Sequence, residues 1–94
     1  MSDEKSSRMS VAGFVIKPDS PEIFTLFNEI KEKFEHRNIQ VLLVEHSAKM
    51  ISVTGGVSFS ELCQNSDFLV SLGGDGTLLA LVRKSYGYNK PVLG

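Results

Sequence analysis

Short apolar runs bounded by turn residues punctuate this chain, and one longer stretch repeats its apolar residues every three or four positions. VAGFVIKP (11–18), closed by Pro18, predicts a buried strand. Ser20 followed by Pro21 predicts a helix start, with serine as the cap and proline where its missing N–H costs nothing. Ile23, Phe27, Ile30 and Phe34 then form one apolar stripe, while Glu22, Glu29, Lys31, Glu32, Lys33 and Glu35 mostly take the other surfaces. Asn38 is suited to leave that helix in the left-handed conformation.

IQVLLVE (39–45) predicts a second strand. HSAKMISVTGGVS is ambiguous between a short helix at 47–51 with a glycine turn and a strand at 50–54. FSELCQNSD (59–67) predicts a short helix entered through Ser58 or Ser60, and FLVSL (68–72) a third strand. TLLALVRKSYG (77–87) reads as a helix with Leu78, Leu81 and Val82 inward and Gly87 at its end, and PVLG opens a fourth strand. Strands near 12–17, 39–44, 68–72 and 91–93, joined mostly by helices, predict a three-layer α/β domain with a mainly parallel sheet.

Composition excludes several classes. Ten basic against eleven acidic residues give a formal net charge of -1, too little positive field to hold a nucleic acid. No run nears the length of a membrane span, and MSDEKSSRMS at the start has no apolar stretch for a signal sequence; a cytoplasmic setting is expected. Residues 1–10 are expected to be a flexible tail and 11–94 the α/β domain. The ending NKPVLG, where an apolar run has just begun, suggests an incomplete domain whose uncovered apolar surface favours self-association or a further domain.

SLGGDGTLLA (71–80) carries the chemistry. A strand entering glycines and then a helix brings backbone N–H groups and the positive helix end to the carboxyl edge of the sheet. Gly73, Gly74 and Gly76 are expected to permit positive backbone angles and close ligand approach. Asp75 among them would repel a bare phosphate. It suits a hydroxyl whose proton it accepts, or a magnesium ion between it and a phosphate. The structural alternative is that Asp75 caps a helix starting near Thr77. The GxxxxGK[ST] phosphate loop is absent, and G-x-G-x-x-G fails at Leu79.

FLVSLGGDGTLLALVRK followed by PVLG closely resembles the amino-terminal domain of bacterial NAD kinases, and the resemblance covers roughly residues 11 to 94. It implies a Rossmann-like α/β domain and ATP-dependent phosphorylation of the adenosine-ribose 2'-hydroxyl of NAD, giving NADP. ATP or polyphosphate is the implied donor, usually with Mg²⁺. Asp75 corresponds to the proton acceptor, and Gly73, Gly74, Asp75, Gly76, Thr77 and Arg83 to the dinucleotide contacts. The family often has a basic residue five positions after the aspartate; here that position is Ala80, with Arg83 almost a turn later. The family's second motif and its β-rich carboxyl-terminal domain are not in this sequence, so these 94 residues alone are expected to be inactive. Diacylglycerol-type lipid kinases carry a similar turn and are the enzymatic alternative; a non-catalytic nucleotide-binding or interaction domain is the other.

His36 and His46 sit in no ligand-spaced cluster, and Cys63 occupies an apolar helical position expected to be core. Gly55 and Gly56 read as a turn, with contact to a nucleotide the alternative.

Overall fold

A computed structural model describes residues 10–17, 21–50 and 55–94. Four strands form one all-parallel sheet: β1 (Ser10–Ile16), β2 (Ile39–Leu43), β3 (Phe68–Leu72) and β4 (Val92–Leu93), in the order β2-β1-β3-β4. Between them run α1 (Pro21–His36), α2 (Glu45–Met50), α3 (Phe59–Asn65) and α4 (Asp75–Ser85), the last continued by a 3-10 turn at Tyr86–Tyr88. This is a Rossmann-like α/β fold. Phe14 stands opposite Leu43 on one side and Val70 on the other, which fixes the register at the centre.

Side-chain alternation along β1 separates two cores. Ala12, Phe14 and Ile16 face α1, where Phe27 is buried and Ile23, Ile30 and Phe34 pack beside it. Phe14 meets Phe27 and Phe34 edge-on, with ring centroids 5.5 and 5.8 Å apart. On the opposite face Leu62 and Cys63 of α3, Leu69 of β3 and Leu81 of α4 form the second core. Helices thus cover both faces, in the three layers expected.

Gly13, on that second face of β1, lets α3 approach closely. A Cβ there would press on Ser66 Oγ and lie 2.8 Å from Leu62 Cγ. Cys63 is fully buried, and burial pushes its thiol pKa up, partly opposed by the charge of Lys90.

Local signals fared unevenly. α1 begins at Pro21, and Asn38 does adopt a left-handed φ of 61°. Ser58 caps α3, its hydroxyl accepting from the Glu61 N–H. The helical reading of the ambiguous stretch holds at Glu45–Met50, starting two residues early. The proposed cap Ser20, all but Met50 of the strand alternative at 50–54 and most of the expected tail lie outside the described residues.

Two expectations for α4 need correction. Val82 is 43% exposed rather than inward, because the buried row runs through Leu81 and Ser85. Gly87 does not end the helix: it sits inside the 3-10 turn, and Asn89, with φ 55°, makes the left-handed exit.

Candidate functional site

The first crossover leads from β1 to β2 at one side of the sheet, and β4 lies beyond β3 at the other. The chain therefore changes direction between β1 and β3. In open parallel sheets ligands bind outside the carboxyl ends of the strands at such a point. Lys17 follows β1 there, and the Gly73–Asp75 turn follows β3.

The two ends are tied together. The Lys17 N–H donates to the Leu72 carbonyl at 2.9 Å. Gly73 then turns with φ +145°, and a Cβ there would lie 2.8 Å from Thr77 Oγ1 and 3.1 Å from the Lys17 carbonyl oxygen. Only glycine suits both that angle and that approach. The expectation of positive angles at all three glycines is corrected: Gly74 is extended, with φ -87° and ψ -179°, and Gly76 lies inside α4.

Asp75 is not the helix cap. Gly74 holds that position, no side chain caps α4, and Asp75 is the first helical residue. Gly74 accepts from the N–H groups of Thr77 and Leu78 at 3.0 and 3.4 Å. An acidic side chain in the first turn suits the positive end of the helix. The Asp75 side chain is exposed, its carboxylate open to solvent.

A cavity of about 520 Å³ opens beside this turn. Ile16 of β1 and Lys17 just after it line the cavity, with His46 and Ser47 from α2 and Thr77 and Lys84 from α4. Glu45 is also in its wall, and Val15, Phe59 and Leu81 supply apolar surface. Of the residues expected to contact a ligand, Gly76 and Thr77 line the cavity. Gly73, Gly74 and Asp75 precede them at the turn, while Arg83 is exposed and outside the lining.

Ser47 holds the β1 end from the other side. β2 pairs with β1 only as far as Leu43 opposite Phe14, and the Val44 carbonyl then accepts from Ala48 in α2. Ile16 is left without a strand partner on that side. The Ser47 hydroxyl accepts from the Ile16 N–H at 2.9 Å and donates to its carbonyl at 2.8 Å, all buried.

Sequence reasoning missed Lys17, Ser47 and Lys84. The signal for Lys84 was present: Gly76, Ala80 and Lys84 recur every four residues, one row of a helix. His46, which sits in no ligand-spaced cluster, is a wall residue of the cavity. His36 ends α1. Gly55 and Gly56 lie outside the cavity lining; a Cβ on Gly56 would lie 2.9 Å from the Ala48 side chain, so this turn packs against α2.

Among the described residues no three His, Cys, Asp or Glu side chains gather as a metal site. Magnesium commonly needs just one or two protein carboxylates, with substrate phosphates completing its shell. Exposed Asp75 fits that pattern. Among the described residues no helix is long and apolar enough to cross a membrane.

No family profile matches the chain, and no solved structure does. Its sequence is 44% identical over 88 residues to the NAD kinase of Wolinella succinogenes, covering 94% of this chain and 30% of that protein. The NAD kinase of Sulfurimonas denitrificans is 44% identical over 82 residues, 87% of this chain and 28% of the relative. That of Helicobacter hepaticus is 40% identical over 82 residues, 87% of this chain and 27% of the relative. The chain thus spans less than a third of the length of these curated relatives.

Proposed function

We propose that the whole protein to which this chain belongs, homologous over nearly all of these residues to bacterial NAD kinases, is itself an NAD kinase. The observation that carries the reading is this homology, which runs across the GGDG turn at the reversal point of the sheet. The reaction moves the γ-phosphoryl group of ATP to the 2'-hydroxyl of the adenosine ribose.

Asp75 accepts the hydroxyl proton, the freed oxygen bonds to phosphorus, and the bond to the ADP oxygen breaks. Exposure leaves its carboxylate reachable by a ribose. Gly73, Gly74, Gly76 and Thr77 let the dinucleotide approach the backbone closely. Mg²⁺ bound with the donor phosphates would neutralise the transferring charge, leaving the Asp75 carboxylate free to take the proton. Polyphosphate as an alternative donor, a cytoplasmic setting and a homo-oligomer with a further β-rich domain complete the reading. The exposed Leu79 and Val82 on α4, with Tyr86 in the following 3-10 turn, support a covered face in the whole protein.

The test is ATP-dependent NADP formation by the folded whole protein, with NAD and Mg²⁺ saturating. NADP accumulating in proportion to enzyme supports the reading. No NADP above background overturns it.

A further inference from the structure

We infer that Lys84 is the side chain that holds the phosphates of the bound nucleotide in the cavity beside the GGDG turn, an assignment that rests on the kinase reading. Gly76, Ala80 and Lys84 occupy one row of α4, and all three line the cavity. The row is nearly bare between the lysine and the helix start. Gly76 has no side chain, nothing lies within 4 Å of where its Cβ would be, and Ala80 ends at a methyl group.

Long side chains on a helix lean toward its amino end. Two turns separate Lys84 from Gly76, a rise of about 12 Å, and an extended lysine covers roughly half of that. Extended this way, its ammonium comes level with Ala80 on the side of the turn.

Charge points the same way. Among the described residues Lys84 has no carboxylate within ion-pair distance. Lys17 enters the cavity from the end of β1, so two lysines face one carboxylate there, that of Glu45, with His46 beside it. A lysine on this open lane, with a second lysine in the same lining and a helix start at the lane's far end, matches a phosphate anion. Arg83, one position earlier, is turned about 100° around the helix and is outside the lining.

The phosphate has two sources, the pyrophosphate of NAD or the triphosphate of ATP. Steady-state kinetics of the whole protein, with each substrate varied at saturation of the other, separates them. Lys84→Ala should raise KM for one of the two by about tenfold to a hundredfold, as expected for a charged hydrogen bond. The substrate affected names the source. Lys84→Arg should recover most of the loss, and Lys33→Ala, which removes an exposed lysine from α1 on the other face of the sheet, should stay within about twofold of the wild type, well below that charged-contact effect.

The inference is overturned if Lys84→Ala leaves both KM values within that twofold range, or if Arg83→Ala carries the loss instead. Lys84 is exposed, so its variants should fold. Absence of NADP formation by the wild type would sink the kinase reading rather than this assignment. Calorimetric titration of wild type and Lys84→Ala with ATP and with NAD then decides: weaker binding of either by the variant supports Lys84, and equal binding of both refutes it.

Discussion

Removing the Ser47 hydroxyl should destabilise the fold far more than a serine-to-alanine change on a surface helix. The hydroxyl satisfies two backbone groups at once, the N–H and C=O of Ile16, at 2.9 and 2.8 Å. Ser47 is 1% exposed and Ile16 2%, so water does not replace the lost partner without rearrangement. A buried backbone group left unsatisfied costs about 1–3 kcal/mol. Two such groups, less the desolvation that the hydroxyl itself no longer suffers, give a loss of about 2–4 kcal/mol. That is a large share of the roughly 5–15 kcal/mol that holds a typical domain folded.

Urea denaturation followed by circular dichroism reads this directly. With a slope of about 1–2 kcal/mol/M for a unit of this size, the midpoint should fall by roughly 1–4 M. Ser47→Thr keeps the hydroxyl and should recover part of the loss, limited by fitting one methyl into a packed site. A Ser47→Ala loss under about 0.5 kcal/mol, the level of an ordinary surface substitution, would refute the claim that this hydroxyl takes the place of the departed strand.

Three further outcomes follow from the same geometry. Asp75→Asn in the whole protein should lower kcat by about 10²–10⁴ while leaving stability nearly unchanged, since α4 has no side-chain cap to lose; retention of more than about half of kcat would end the proton-acceptor role. Gly13→Ala should cost about 1–3 kcal/mol by forcing a Cβ against Ser66 Oγ and Leu62, and adding Ser66→Gly should return part of it in a thermal-melt double-mutant cycle; independent effects would contradict the contact. Cys63 has a raised thiol pKa in the folded protein, so its share of stability is full below the unfolded value near about 8.5 and is lost as pH rises through the folded one. Alkaline melts of wild type against Cys63→Ala should show the wild type losing more stability over that window.

The sheet was legible because β1 and β3, buried between helices on both faces, need apolar side chains on both, and such strands read as near-continuous apolar runs. β3 accordingly runs from Phe68 to Leu72, as its sequence predicts. α1 was legible for the opposite reason: one face is buried, and Ile23, Phe27, Ile30 and Phe34 record it. What stayed hidden were buried places filled by polar residues. Ser85 is 2% exposed, and taking it for a surface residue rotates the inward face of α4 onto Val82. Ser47 hid in the same way, since a hydroxyl replacing a strand partner leaves no trace in hydrophobic periodicity.

The candidate site divides along the same line. A glycine at position 73 answers a local demand, a φ of +145° against the Lys17 carbonyl, so its meaning is carried by the turn sequence itself. Lys17 and Lys84 are 67 positions apart in sequence and share a cavity only because β1 and β3 are neighbours in the sheet. No local pattern encodes that adjacency; the pairing of Ile16 with Leu72 does. The row Gly76, Ala80, Lys84 has nothing apolar and large enough to mark a face, yet its smallness is what leaves the lane open. The turn is thus readable from its own residues, whereas the surrounding charge becomes readable only once the strand order is known.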